Sequence, residues 1–245
     1  MNGVEMKAVL LAAGKGTRLR PLTDEMPKVM IPINGKPVLE YHIEQLARAG
    51  IKDIIINLHY LPDSIRNYFL DGSKWATRIH YSYEPEILGT AGAIKKLEAE
   101  LEDDAFLVVY GDNFLEITYR DFVAFSESKT GIGTVVVIEK DNVLGSGILD
   151  IEEGDRVLRF IEKPDPSGVI SHWVNAGVYY FSNCIFNYIE PGYSDFGYDV
   201  LPRILKAGET LTAYKLKNEV WAIDDVDLLK KIKNRLKYNK PLSVN

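Results

Sequence analysis

The feature that most constrains the fold of this chain is a set of short apolar runs separated by segments of helical period. Residues 7–12 ("KAVLLA"), 53–58 ("DIIINL") and 105–112 ("AFLVVYGD") are nearly uninterrupted apolar stretches of strand length. Such runs are typical of strands that are buried on both faces of a sheet. A further strand is predicted at residues 79–83.

Helical patterns fill the gaps between these strands. Residues 37–49 carry apolar side chains at helical spacing and are followed by Gly50, residues 63–70 predict a short helix, and Thr90 is the expected N-cap of another. The alternation predicts a Rossmann-like α/β fold, with a mostly parallel mixed sheet and helices on both faces.

The second half of the chain predicts shorter elements. Strands are expected at 133–140, 147–152, 157–163, 175–181 and 211–216, and helices at 195–207 and 225–236. Since no linker, repeat or low-complexity tract divides the chain, a single domain over residues 1–245 is predicted. We expect a frayed segment at 1–5, a helical segment within 218–245, and no hexapeptide β-helix.

Composition disfavours several function classes. The 245 residues include 29 Lys and Arg against 35 Asp and Glu, and this net charge of -6 argues against nucleic-acid binding. No apolar run of about 18 residues predicts a membrane-spanning helix. The single cysteine, Cys184, excludes a disulfide within the chain, favours a cytoplasmic location and is expected to be a small buried hydrophobe.

Cations are nevertheless concentrated in the loops that follow the first strand. "AAGKGTRL" combines Gly14 and Gly16 with Arg18, and Lys28 follows ten residues later. In open α/β sheets ligands bind beyond the carboxyl ends of strands, glycines let a backbone approach them, and consecutive N–H groups bind anions. The sequence therefore predicts a phosphate site. It matches neither the P-loop nor the dinucleotide fingerprint, which argues against a dinucleotide dehydrogenase.

Taken together, the motifs resemble the signature of the sugar-1-phosphate nucleotidylyltransferases. "LAAGKGTRLRPLT", "PKVMIP", "GKP", "EPEILGTAGAI", "VVYGD", "FIEKP" and "NAGVY" occur in the order of that family and cover about residues 6–217. The resemblance implies an enzyme that transfers a nucleoside monophosphate from an NTP to a sugar 1-phosphate and releases pyrophosphate, with Mg²⁺ as cofactor. Because the attacking phosphate is already an anion, catalysis is expected to rest on positioning and electrostatics.

The resemblance also assigns roles to residues. Arg18, Lys28 and Asp112 are the expected catalytic residues, and Asp112 is also an expected metal ligand. The nucleotide is expected to contact Ala12, Gly14, Gly16, Thr17, Glu84, Gly89 and Thr90. The sugar phosphate is expected to contact Gly147, Glu162, Lys163, Asn175 and Gly177.

The C-terminal part departs from the family pattern. Relatives carry W-x-D-I-G-T, whereas this chain has "VWAIDDVD", with Ile223 at the position of the acid. A shift of one residue would make Asp224 the second metal ligand, and a shift of two would make it Asp225. The departure also leaves open a site without catalytic activity.

The expected substrates are GTP and mannose 1-phosphate, or a similar hexose or heptose phosphate. Glu84 could accept hydrogen bonds from guanine N1–H and N2–H₂, and the segment around it looks most like that of guanylyltransferases. Two alternatives stay open: a cytidylyltransferase for a non-sugar phosphorylated alcohol, and a regulatory homologue that binds a nucleotide sugar. We expect a monomer or homodimer with no membrane or nucleic-acid partner.

Overall fold

The structure, a computed structural model, describes residues 6–102, 105–218, 220–223 and 226–238. The strands in this part of the chain are β1 (Lys7–Leu11), β2 (Pro32–Ile33), β3 (Lys36–Pro37), β4 (Asp53–Leu58), β5 (Arg78–Tyr83), β6 (Phe106–Tyr110), β7 (Asn113–Leu115), β8 (Gly133–Glu139), β9 (Gly147–Ile151), β10 (Val157–Glu162), β11 (Trp173–Phe181), β12 (Leu211–Lys215) and β13 (Val220–Ala222). The α-helices are α1 (Val38–Arg48), α2 (Pro62–Phe69), α3 (Gly89–Lys95), α4 (Glu98–Leu101), α5 (Tyr119–Glu127), α6 (Leu201–Lys206) and α7 (Val226–Tyr238).

The central sheet is mixed, and its parallel part sets up the predicted ligand edge. Its strand order is β10-β9-β11-β6-β1-β4-β5, and β8 pairs with both β11 and β12. β6, β1, β4 and β5 are parallel, whereas β11 is antiparallel to β6. The register places Leu11 beside both Tyr110 and Asn57, so the carboxyl ends of these strands meet at one edge. The predicted fold class and strands are confirmed.

Two hydrophobic cores lie on opposite faces of the sheet. Ala8 and Leu10 of β1 pack on the face covered by α1, and Val9 and Leu11 pack on the face covered by α3. Because successive side chains of a strand point to opposite faces, a strand with both faces covered must be apolar throughout. This burial explains the uninterrupted apolar runs in the sequence.

The C-terminal segment joins the fold beside Asp112. β13 pairs with β7 in antiparallel orientation, and the Ile223 N–H donates to the Asp112 carbonyl at 3.2 Å. Ile223 is fully buried in a third apolar cluster with Leu19 and Phe114. The candidate metal ligands Asp224 and Asp225 lie outside the described residues.

Two local predictions are corrected by the structure. α3 begins at Gly89, and the Ser194 carbonyl accepts the Ala91 and Gly92 N–H groups, so Thr90 is not the N-cap. The helix predicted from residue 195 begins with a π-helical turn (Phe196–Val200) that Asp195 caps, and only then continues as α6.

Cys184 is exposed, so the prediction of a buried cysteine is wrong. In its short turn the buried positions are taken by Ile185 and Phe186, which leaves the small thiol facing solvent. None of the helices in the described ranges is long and apolar enough to cross a bilayer.

Candidate active site

The glycine loop, residues 12–19 directly after β1, carries the predicted phosphate contacts. Gly16 has a φ of 60°, and a Cβ atom at this position would lie 3.0 Å from both the Cβ of Lys28 and the Cγ2 of Thr23. Glycine therefore allows both the left-handed backbone and the close packing of the loop on the Lys28 stem. A short 3₁₀ turn (Thr17–Leu19) follows. The loop exposes Gly14, Thr17 and Arg18.

Lys28 reaches from beneath this loop to Asp112. Its Nζ atom lies 2.5 Å from Oδ2 of Asp112, and the Lys28 side chain is 8% exposed against 32% for Asp112. The Gly111 N–H donates to the Leu11 carbonyl at 2.9 Å, which holds the start of the Asp112 turn against the end of β1. The structure thus brings two of the three predicted catalytic residues into direct contact.

Asp112 provides a carboxylate that suits a magnesium ion. In the described ranges, no group of three or more His, Cys, Asp or Glu side chains could hold a metal ion. Mg²⁺, however, usually takes only one or two carboxylates and completes its shell with phosphate oxygens and water. A partly exposed carboxylate beside the loop predicted to bind phosphate fits that donor set, and metal binding stays a prediction.

Asn57, which the sequence analysis did not select, links two predicted nucleotide contacts. Its Oδ1 accepts the Ala12 N–H at 2.5 Å, and its Nδ2 donates to Glu84 Oε1 at 2.8 Å. The second oxygen of Glu84 accepts the Leu88 N–H at 3.1 Å. Asn57 is 2% exposed and Glu84 1%. In the structure, protein donors therefore bind both oxygens of Glu84. The contact of Glu84 with a base stays a prediction. The available signal was Asn57 itself, a polar residue within the apolar run at 54–58.

Gly89 and Thr90 attach α3 to the segment before the π-helical turn. Gly89 has a φ of 75°, and a Cβ on it would lie 2.4 Å from the Ser194 carbonyl oxygen. The Thr90 hydroxyl donates to Asp195 Oδ2 at 2.9 Å and accepts the Phe196 N–H at 2.8 Å. This packing explains the glycine at position 89, and the nucleotide contacts of both residues stay predictions.

The predicted sugar contacts on β11 lie close to the Asp112 turn. Asn175 donates from Nδ2 to the Tyr179 hydroxyl at 2.5 Å and accepts the Gly177 N–H at 3.0 Å. Gly177 has a φ of 72°, and a Cβ on it would lie 2.7 Å from Nδ2 of Asn113. β11 therefore approaches the residue next to Asp112 closely, and only glycine allows this.

Glu162 and Lys163 lie at the end of β10. The Glu162 carboxyl group is held between two glycines, because a Cβ on Gly147 would lie 2.6 Å and one on Gly197 2.4 Å from its Oε2. Burial raises the pKa of Glu162, and the neighbouring Lys163 opposes the shift. Lys163 has a φ of 46°, and its Nζ lies 5.6 Å from the centroid of the Tyr198 ring.

His42 on α1 supports the Asp112 turn from behind. Its Nε2 donates to the Asn113 carbonyl at 2.7 Å, and its Nδ1 has no hydrogen-bond partner among the described residues. Burial lowers the pKa of His42 to about 4, and the hydrogen bond to Asn113 opposes the shift. The ring is therefore neutral at physiological pH and acts as a hydrogen-bond donor to the turn.

Comparison with known proteins gives a consistent family. Residues 7–227 match the family model described as Nucleotidyl transferase. A UTP–glucose-1-phosphate uridylyltransferase of Synechocystis sp. is 35% identical over 217 residues, which cover 83% of this chain and 56% of the relative. A mannose-1-phosphate guanyltransferase of Gibberella zeae is 33% identical over 206 residues, covering 82% and 56%. The chain thus spans just over half the length of these curated relatives.

A solved structure agrees with the fold. HddC from Yersinia pseudotuberculosis, complexed with GMP-PN, superposes with a TM-score of 0.78 at 29% identity, covering 94% of this chain and 99% of that one. The family model spans the central sheet, the glycine loop and the Lys28–Asp112 pair described above. The chain therefore belongs to the nucleotidyl transferase family, among its sugar-1-phosphate nucleotidylyltransferases.

Proposed function

We propose that this protein transfers a nucleoside monophosphate from an NTP to a sugar 1-phosphate and releases pyrophosphate. The observation that carries this proposal is the pairing of Lys28 with Asp112 beneath the Gly16 loop. A nearly buried cation and a partly exposed carboxylate stand where the phosphate loop and the predicted sugar strand converge. Such a site suits two phosphorylated substrates and a divalent cation.

The cations act by electrostatic stabilisation of the transferring group. We assign Arg18, on the exposed 3₁₀ turn, to the departing pyrophosphate, because a guanidinium binds phosphate oxygens in a bidentate way. We assign Lys28 to the phosphate that is transferred. Its burial strengthens its field, because a charge acts more strongly where water is excluded. Mg²⁺ bound at Asp112 would neutralise further phosphate charge.

GTP with mannose 1-phosphate, or with a similar hexose or heptose phosphate, is the substrate pair that we propose first. The appearance of the segment "EPEILGTAGAI" and the guanyltransferase relative support it. UTP with glucose 1-phosphate is the second candidate, supported by the uridylyltransferase relative at 35% identity. We propose a cytoplasmic location, which NTP substrates fit. We also propose that the protein is a monomer or a homodimer.

The test is pyrophosphate release with Mg²⁺ across ATP, CTP, GTP, UTP and dTTP and a panel of sugar 1-phosphates, including mannose and glucose. Release that requires both substrates and disappears in Asp112→Asn supports the proposal. Release with phosphocholine or inositol phosphate in place of the sugar phosphate would favour the cytidylyltransferase alternative. Binding of a nucleotide sugar without any release would favour the regulatory alternative.

A further inference from the structure

The carboxyl end of β4 holds the two loops to which nucleotide contacts are assigned. Asn57 accepts the N–H of Ala12, the first residue after β1, and donates to the carboxylate of Glu84, the first residue after β5. Glu84 then accepts the N–H of Leu88, which immediately precedes α3. One buried amide therefore joins the start of the phosphate loop to the loop that leads into α3.

The next two polar side chains along the chain, His59 and Tyr60, also contact these two loops. His59 Nδ1 lies 2.9 Å from the Glu84 carbonyl oxygen. The Tyr60 hydroxyl lies 2.9 Å from the Thr23 carbonyl oxygen and 3.2 Å from that of Asp24, which lie between Arg18 and Lys28 in the connection that follows β1. The segment Asn57–Tyr60 thus contacts both loops at several independent points.

We propose that Asn57 is a positioning residue that fixes the phosphate loop and the residue 84–88 loop relative to each other, so that a single nucleotide is bound by both. This role rests on the function proposed above. It uses the chemistry of an amide, which accepts one hydrogen bond and donates another at the same time. A carboxylate at this position could still accept the Ala12 N–H, but it could not donate to Glu84.

The polarity of the Asn57–Glu84 contact gives a sharp test. Asn57→Asp places two carboxylates in contact in a buried site, and this should separate the loops. Adding Glu84→Gln exchanges donor and acceptor, so that the amide at position 84 donates to the carboxylate at position 57. The matched control is Gln45→Glu, since the Gln45 amide also both donates, to the Tyr41 and Leu115 carbonyls, and accepts, from the Ile117 N–H.

For each variant we would measure the melting temperature, the KM for NTP and for sugar 1-phosphate, and the Kd of the best NTP by calorimetry. Asn57→Asp should raise both the KM and the Kd for NTP by roughly tenfold or more, because a hydrogen bond to a buried charged group is replaced by repulsion. The KM for sugar 1-phosphate should stay within about threefold. Asn57→Asp added to Glu84→Gln should raise the Kd for NTP far less than Asn57→Asp alone raises it, and any contact between Glu84 and a base cancels in this comparison. Gln45→Glu should lower the melting temperature without a selective change in the KM for NTP.

Several outcomes would overturn the proposal. These are an unchanged affinity for NTP in Asn57→Asp, an effect of Asn57→Asp that is as large when added to Glu84→Gln as it is alone, or parallel losses for both substrates. Failure of both variants to fold would assign Asn57 to folding alone and also reject the proposal. A wild-type protein that binds NTP without turnover would refute the proposed function, while the Kd comparison would still decide the role of Asn57. A wild-type protein that binds no NTP would reject both.

Discussion

Lys28 and Asp112 are separated by 84 residues in the chain, yet their charged atoms lie 2.5 Å apart. Lys28 stands on a short 3₁₀ turn (Lys28–Met30), and Asp112 follows the end of β6. The parallel pairing of β1 with β6 brings the two loops together at the ligand edge. The pair is asymmetric, because its cation is nearly buried while its carboxylate is a third exposed.

Replacing Asp112 by asparagine should lower turnover far more than it lowers stability. The substitution keeps the shape of the side chain and removes the charge that would hold Mg²⁺. We expect kcat to fall by about 100-fold or more, as for the loss of other electrostatic groups in active sites. Steady-state pyrophosphate release and a thermal melt would measure both effects. The control is Asp53→Asn. Asp53 pairs with Arg78 and lies at the amino end of β4, at the opposite edge of the sheet from Asp112. Equal turnover in the two variants would contradict the assignment of Asp112.

Arg18→Ala should also reduce turnover with little effect on folding. Arg18 is exposed on its turn, so its truncation leaves no cavity. Since the guanidinium is assigned to the leaving pyrophosphate, we expect kcat to fall by about 100-fold. Arg20→Ala is the matched control, because Arg20 lies on the same loop and pairs with Asp24 at 3.2 Å. A variant of Arg18 that retains the turnover of the Arg20 variant would rule out this role.

Gly16→Ala should destabilise the protein and weaken NTP binding. The alanine would have to keep the left-handed backbone of Gly16, and its methyl group would lie 3.0 Å from side-chain atoms of Lys28 and Thr23. We expect the free energy of unfolding to fall by about 2 kcal/mol and the KM for NTP to rise. Gly35→Ala separates the two causes, because Gly35 has a φ of 80° but no atom within 4 Å of an added Cβ. That control should lose about 1 kcal/mol, the cost of the left-handed backbone alone, at unchanged KM. Similar unfolding free energies in the two variants would argue against the packing argument.

The burial of His42 predicts a loss of stability in mild acid. The folded pKa of about 4 lies below the ordinary value of 6.5, so the unfolded chain binds a proton that the folded protein excludes between these pH values. This contribution is fully present above pH 6.5 and is lost as pH falls towards 4. We expect wild type to lose about 2 to 3 kcal/mol more than His42→Gln between pH 7.5 and 4.5. Urea unfolding at both pH values measures the difference, and parallel pH profiles would disprove the buried neutral state.

Much of the architecture could be predicted from local sequence. The apolar runs predicted strands whose ends match the structure to within about two residues, and the glycine loop was placed correctly after β1. These features are local, because the period of a pattern reports directly which faces of an element are buried. The short strands β7 and β13 and the helix α5 were not predicted. The two strands are only three residues each, which is too short for a period to be recognised.

The sequence by itself determined the succession of strands and helices along the chain, the position of the glycine loop after β1 and the residue types available at the carboxyl ends of the strands. Only the tertiary structure decided that Lys28 contacts Asp112, that Asn57 joins Ala12 to Glu84, and that Gly89 is packed on Ser194. A periodic pattern reports burial along one element, but it carries no information about register between elements. Contacts between distant residues depend on that register and on the packing of both cores, and these exist only in the folded chain.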